Sequence, residues 1–457
     1  MNFCNDMRGW LRWGVGLACL PAVLAVSGCH GLPVTGEGQA RQQVSDITAA
    51  YRPDNKPAVL PTLTTNSSLA DFLRFAMLNH PLVAAAYYDW VASVENITIT
   101  RSRPDPQLTF QAYIEDSLTS LMPGLNWSIP GPGKLAARGR VATGASTGKY
   151  FTFESAVLQA AFNLKSSYYK LSLVQEQIRL NREMLSLLGH AERVTRALSE
   201  SGQASSPDVL RVQSDIDRIR NAVASLEDSR ESLRANFKAA LGLTPAQTDP
   251  PIPAQFDTGN QNFTGDDLLR TALENNPQLK SMAADVRTAE ASMAVAYQER
   301  VPDFNAGLQA EVYEPPFFWP QAGMTLPIWR DKLAAEVAQA QANELAAESR
   351  LTSAQIDLAV NFTERVFTCR ETSRNLALVE NRLIPQAQQT IDLIRAGYQT
   401  GTADYASLTD AERLLLNLKL EAANARTQRA IALADLSLIV AGVPPLGAPL
   451  LSNAHQR

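Results

Sequence analysis

The chain is written twice. Leu73-Arg74-Phe75-Ala76-Met77-Leu78-Asn79-His80-Pro81 returns 196 residues later as Leu269-Arg270-Thr271-Ala272-Leu273-Glu274-Asn275-Asn276-Pro277, with Leu, Arg, Ala, Asn and Pro in place. Pro104-Asp105 returns as Pro302-Asp303, Ile129-Pro130 as Leu326-Pro327, Lys134-Leu135-Ala136-Ala137 as Lys332-Leu333-Ala334-Ala335, and Gly202 as Gly401. A period near 200 residues is far longer than a solenoid repeat, so each copy is a unit of several elements. The stretch 248–265, with Asp249-Pro250-Pro251-Ile252-Pro253, reads as the linker between copies.

Each copy carries the same order of patterns. A short helix runs to Asn79 or Asn275, and a second starts at the following Pro and ends near Arg101 or Arg300, because Pro stops one helix and suits the first turn of the next. The period then changes to two. Leu108, Phe110, Ala112 and Ile114 alternate with Thr109, Gln111, Tyr113 and Glu115; Phe304, Ala306, Leu308, Ala310 and Val312 alternate with Asn305, Gly307, Gln309, Glu311 and Tyr313. Alternation resumes around Leu125, Trp127 and Ile129, and around Ala322, Met324 and Leu326, so each copy predicts one hairpin with an apolar and a polar face. Met122-Pro123-Gly124 and Pro315-Pro316-Phe317-Phe318-Trp319-Pro320 are expected in the loops, the second placing aromatics where a membrane interface favours them. A small sheet packed on a soluble core is the other arrangement these strands allow.

The rest reads as helix. Residues 149–188, 208–241, 333–384 and 402–441 hold neither Gly nor Pro, and the longest helix could reach roughly 90–100 Å. Such helices must lie side by side. Ile216, Ile219, Val223, Leu226, Arg230, Leu233, Phe237 and Ala240 follow a 3,4 spacing, repeated at an offset of 199 by Leu415, Leu418, Ala422, Ala425, Arg429, Ala432, Leu436 and Ile439. A heptad seam kept in both copies predicts coiled-coil packing. The hairpin tips fall at Gly202 and Gly401, suited to a left-handed helix end, with Ser206 or Thr402 as N-cap of the returning helix.

At the N-terminus Arg8 and Arg12 precede an apolar run from Trp13 to Val26, too short to span a bilayer as a helix and fitting a secretory leader. It ends in Val26-Ser27-Gly28-Cys29, which resembles a bacterial lipobox with Cys29 as the acylated thiol; ordinary cleavage near Gly28 is the alternative. His30 follows rather than Asp, and by resemblance to bacterial lipoproteins that favours the outer membrane. The expected organisation is a signal peptide over 1–28, an irregular lipid-anchored segment over 29–67, a first repeat over 68–247, the linker, a second repeat over 266–445 and a tail over 446–457. No later segment has 18 continuous apolar residues, so a membrane crossing would need a closed β-barrel.

Composition narrows the chemistry. The balance of 41 Lys+Arg against 46 Asp+Glu argues against a nucleic-acid partner. No His-x-Glu or Cys-x-x-Cys pair occurs, and Gly131-Pro132-Gly133-Lys134 lacks the spacing of a phosphate loop. No catalytic constellation, metal site or cofactor is expected. Two hairpins cannot close a barrel, and lipid tolerates no open strand edge, so inserted strands must be pooled by several chains.

The duplicated helix, Asn-x-Pro, helix, hairpin and long helical hairpin, with Gly-bearing tips and Leu326-Pro327-Ile328-Trp329, resembles the TolC-like outer-membrane efflux protein family, in its lipoprotein branch, from about residue 68 to 445. The resemblance implies a mainly α fold with a small β part. It implies a homotrimer whose helical hairpins form an α-barrel across the periplasm and whose paired β-hairpins form a shared 12-stranded transmembrane β-barrel. It implies a passive exit duct for small molecules or metal ions, not an enzyme, partnered by a periplasmic adaptor and an inner-membrane pump. Gly202 and Gly401 would meet the adaptor, and Asp208, Asp215, Asp404 and Asp410 are candidates for an acidic ring at the aperture; each also reads as a solvated carboxylate near a helix start. The alternative function is a lipid-anchored periplasmic coiled-coil adaptor without a channel.

Overall fold

A computed structural model of the chain describes residues 33–53, 56–114, 118–201, 206–253, 268–311, 317–400 and 403–440. The elements in order are α1 (Glu37–Tyr51), α2 (Leu69–Asn79), α3 (Pro81–Arg101), β1 (Gln107–Ile114), β2 (Leu118–Ile129), α4 (Lys134–Glu200), α5 (Ser206–Ala240), α6 (Leu268–Asn275), α7 (Pro277–Gln298), β3 (Phe304–Glu311), β4 (Phe317–Met324), α8 (Arg330–Leu378), a π-turn (Val379–Leu383), α9 (Ile384–Gln399) and α10 (Tyr405–Val440). The chain divides into two compact units. One holds 33–41, Val94–Thr143 and Thr288–Ala342; the other holds Gln42–Ser93, Gly144–Arg287 and 343–440.

The first unit contains the sheet. The two expected hairpins are present and are joined: β2 pairs antiparallel with β3, giving one sheet of order β1-β2-β3-β4. Two expectations are corrected. Met122-Pro123-Gly124 lies inside β2 and Phe317-Phe318-Trp319-Pro320 inside β4, not in loops; Pro315 and Pro316 fall outside the described residues. Both prolines sit where a missing N–H is tolerated. Pro320 is on an edge strand, and Pro123 pairs with Phe110 of β1 one residue beyond the β2–β3 ladder, which starts at Gly124.

The segment 29–67, expected to be irregular, contains α1. Its first residue explains why. The Glu37 side chain is only 3% exposed and accepts from Arg101 Nε (2.6 Å), Arg101 Nη2 (3.1 Å), Thr98 Oγ1 (3.0 Å), Arg41 Nε (3.2 Å) and the Val34 N–H (3.4 Å). A buried carboxylate saturated by donors fastens the start of α1 to α3.

The second unit holds most of the helical length. Ser68 caps α2 in a reciprocal box with Asp71. His80 then takes an extended backbone, as the residue before Pro81 must, and α3 begins. The Asn-x-Pro junction has a role in both copies, through different positions: Asn79 Nδ2 donates to the Leu241 and Gly242 carbonyls (3.0 and 3.2 Å), and the middle residue of the second junction, Asn276, donates from Nδ2 to the Ile439 carbonyl (3.1 Å). Each therefore satisfies carbonyls at the end of the returning long helix of its own copy.

Helix α4 has 67 residues, about 100 Å of rise. It starts 15 residues before the Gly-free stretch 149–188, because isolated glycines such as Gly139 and Gly148 cost about 1 kcal/mol each and do not stop a packed helix. The heptad residues face inward. Ile216, Val223, Phe237 and Ala240 are buried and the other four of that set half-buried; in α10, Ala422, Ala425, Ala432 and Leu436 are buried and Leu415, Leu418, Arg429 and Ile439 half-buried. Leu180, Met184, Leu188, Ile216 and Leu416 form one core cluster, so the two helical hairpins pack on each other. An aromatic cluster of Tyr51, Tyr87, Trp90, Tyr150 and Phe153 joins α1, α3 and α4. The long helices of the two copies differ at Pro385. Pro385 lacks the N–H that would bond residue 381, and the π-turn before it absorbs the break, with the Ile384 N–H bonding the Val379 carbonyl.

Candidate functional site

The strand pairings sort the sheet into two faces. One carries Leu108, Phe110 and Ala112 of β1, Leu121, Pro123, Leu125, Trp127 and Ile129 of β2, Phe304, Ala306, Leu308 and Ala310 of β3, and Phe318, Pro320, Ala322 and Met324 of β4. Not one of these is polar, and Leu108 and Phe110 are 64% and 65% exposed. The opposite face carries Gln107, Thr109, Gln111, Asn126, Ser128, Asn305, Gln309 and Gln321, with Met122 beside Gln111 and with Phe317 and Trp319 edge to face at 4.7 Å on the outer strand. The aromatics expected at an interface are thus split between faces, since period-two alternation sends neighbours to opposite sides.

A row of amides crosses the polar face. Gln321 Nε2 donates to Gln309 Oε1 (2.7 Å), and Gln309 Nε2 donates to Gln111 Oε1 (2.8 Å), passing over β2 where Gly124 has no side chain. A Cβ on Gly124 would lie 2.7 Å from Thr109 Oγ1. No described helix is long and apolar enough to cross a membrane.

Where β2 hands over to α4, the sheet is tied by charge. Lys134 Nζ, 3% exposed, donates to Asp303 Oδ2 (3.0 Å) and Glu299 Oε2 (3.1 Å); Arg138 Nη2 donates to Glu299 Oε1 (3.0 Å), and the Gly131 N–H to Asp303 Oδ1 (2.8 Å). Burial opposes ionisation of both carboxyls, but these donors outweigh it and hold both below the ordinary carboxylate range.

The expected tip residues Gly202, Gly401 and Thr402 lie outside the described residues, as does Cys29. Around them, Tyr398 and Tyr405 meet at 6.1 Å between ring centroids, and Arg395 pairs with Glu412 (3.4 Å). Asp404, exposed, serves as the N-cap of α10: its Oδ1 accepts from the Ser407 N–H (3.0 Å), and its bonds to Ser407 hold its carboxyl below the ordinary range. Asp208 is exposed in the first turn of α5. Asp215 and Asp410 converge on one guanidinium, Arg413 Nη1, at 3.0 and 3.9 Å. The structure therefore joins Asp215 to Asp410 through Arg413, and gives Asp404 a capping role.

The sequence pattern did not single out Glu37, the amide row or the Lys134 junction as sites. Lys134 and Asp303 did carry a signal, since each belongs to a stretch kept in both copies.

The model of the family described as "Outer membrane efflux protein" matches residues 73–243 and 268–442. The chain is similar to the pyoverdine export outer membrane protein OpmQ of Pseudomonas aeruginosa, 22% identical over 283 residues, which is 58% of this chain and 56% of that one. The chain thus matches little more than half the length of that relative. Among solved structures it resembles the MtrE outer membrane channel of Neisseria gonorrhoeae (TM-score 0.70, 16% identity, 85% of this chain and 96% of that one). It also resembles the CmeC outer membrane channel of Campylobacter jejuni (0.69, 13%, 86% and 91%) and the outer membrane protein VceC of Vibrio cholerae (0.65, 14%, 82% and 96%). At these identities the likeness is one of fold.

Proposed function

Because the chain belongs to the outer membrane efflux protein family, we propose that it is the outer-membrane channel of a tripartite efflux system, a passive duct built from three copies. The observation that carries this reading is the sheet: one face apolar over all four strands and largely exposed, one face mainly polar, and both edges unpaired among the described strands. Lipid accepts an apolar strand face but not an open edge, so the edges must be paired by further copies around an aqueous bore. Three copies give twelve strands, enough for a water-filled lumen lined by the polar face.

A second observation supports association along the helices. Leu345, Ile356, Phe367 and Leu378 of α8 recur every eleven residues and are 44–60% exposed. That spacing forms one slowly winding stripe, suited to a neighbouring helix. In the same reading Cys29 carries the lipid anchor, Gly202 and Gly401 form the tips that meet a periplasmic adaptor, and Asp208, Asp215, Asp404 and Asp410 lie near the aperture. An inner-membrane pump supplies the energy. OpmQ is named for pyoverdine export, so small organic molecules are the first cargo to test, with metal ions second.

The test is extraction from the outer-membrane fraction, mass by light scattering in detergent, and conductance in a planar bilayer. A heat-dissociable trimer with stable ionic conductance is the expected result. A monomer without conductance would refute the channel and favour the adaptor alternative.

A further inference from the structure

The charged junction at Lys134 has a duplicate whose parts are not paired with one another among the described residues. Both contributing stretches recur at a single offset of 198: Lys134 and Arg138 correspond to Lys332 and Glu336, and Asp303 and Glu299 to Asp105 and Arg101. The Lys–Asp pair keeps its sense. The Arg138–Glu299 pair inverts at both members, to Glu336 and Arg101, which preserves attraction if those two groups face each other.

Strand order says where they would meet. In the chain, β2 leads into α4 and lies beside β3, and the residue just before β3 is Asp303, the partner of Lys134. By the same arrangement β4 leads into α8, and Lys332 should meet the residue just before the strand beside β4. The residue corresponding to Asp303 is Asp105, two residues before β1, and β1 is the opposite edge of the same sheet. A β1 strand beside β4 must come from a second copy.

The side chains at this edge are open to such a partner. Lys332 is 70% exposed and has Glu336 Oε1 at 3.6 Å on its own helix, whereas Lys134 is 3% exposed. Glu336 is half-buried, with part of its side chain still open to solvent. Asp105 is exposed, and Arg101, held by Glu37 through Nε and Nη2, makes no hydrogen bond from Nη1 among the described residues. Leu326, Ile328 and Trp329 beside Lys332 are 64%, 66% and 71% exposed.

We propose that each subunit boundary of the barrel is closed by a charge junction in which Lys332 of one copy bonds Asp105 of the next and Glu336 bonds Arg101 of the next, the intermolecular duplicate of Lys134–Asp303 and Arg138–Glu299. This rests on the three-copy channel proposed above, and the experiment separates the two. Lys332→Glu, Asp105→Lys and the double variant are extracted in detergent, and the trimer surviving at the temperature where half of the parent protein survives is measured. Each single reversal should lose at least about tenfold of the trimer, as like charges then oppose across the boundary. The double variant should return to within about twofold of the parent, a rescue that a folding defect would not give. In the parent, Lys332 should react slowly with an acylating reagent in the trimer and rapidly after dissociation. A trimeric parent whose single variants keep full stability, or whose double variant is no better than the worse single, overturns the junction and leaves the trimer standing; so does equal Lys332 reactivity before and after dissociation. A monomeric parent overturns the trimeric reading and the junction with it.

Discussion

Replacing Glu37 by Gln should release the start of the first helix. The carboxyl is almost fully buried, and burial alone would raise its pKa. The bonds from Arg101, Thr98, Arg41 and the Val34 N–H outweigh that and hold it at about 2, against an ordinary 4.5. At 1.36 kcal/mol per pH unit, the charged form is worth about 3 kcal/mol to the folded state. Because the folded value is depressed, this stabilisation is complete above pH 4.5 and is lost as the pH falls from 4.5 through about 2. Gln keeps the shape but removes the charge that Arg101 needs, itself 13% exposed. Hydrogen exchange at residues 33–41 of the detergent-solubilised protein should accelerate about a hundredfold at neutral pH. Arg41→Ala should do far less, since Arg41 is itself 40% exposed, its partner Glu95 is 60% exposed and such pairs contribute below about 1 kcal/mol, while its bond to Thr98 leaves the Thr98–Glu37 bond in place. A change under about threefold in the Gln variant, or equal effects in both variants, would refute the assignment of a stabilising buried charge.

Three further outcomes follow from other sites. Gly242 has φ +73°, and a Cβ there would lie 2.6 Å from His80 Cα, so Gly242→Ala should lower stability by about 1–3 kcal/mol, read as a lower thermal midpoint. Burial, with a smaller contribution from the Asp435 carboxylate, pushes the Cys369 thiol up to about 11, so maleimide labelling should be slow in the folded chain and fast in denaturant. Gly202→Val with Gly401→Val should impair efflux while trimers persist; unchanged resistance to an exported compound would remove the tip assignment.

Much of this protein was legible from local periodicity. The offset near 196–199, the 3,4 seam on α5 and α10, and the alternation in β1 and β3 each depend on residues a few positions apart, where one helix face or one strand face repeats. The Asn-x-Pro junctions were marked for the same reason, because Pro acts on its immediate neighbours. Reading Met122-Pro123-Gly124 and Phe317-Phe318-Trp319-Pro320 as loops failed because Pro and Gly signal breaks only where a ladder hydrogen bond is needed. An edge strand and the end of a ladder do not need one.

What the sequence by itself determined was therefore the duplication, the helical hairpins and the amphipathic strands. The tertiary structure decided which distant groups meet: β2 with β3 to make one sheet, Glu37 with Arg101, Lys134 with Asp303, and Asp215 with Arg413. It also decided that Asp404 caps a helix. These partners lie far apart in sequence, some by more than 160 residues. Hydrogen bonds and ion pairs act within about 3 Å, so they form between whichever groups the packed elements bring together, and no local pattern records that choice.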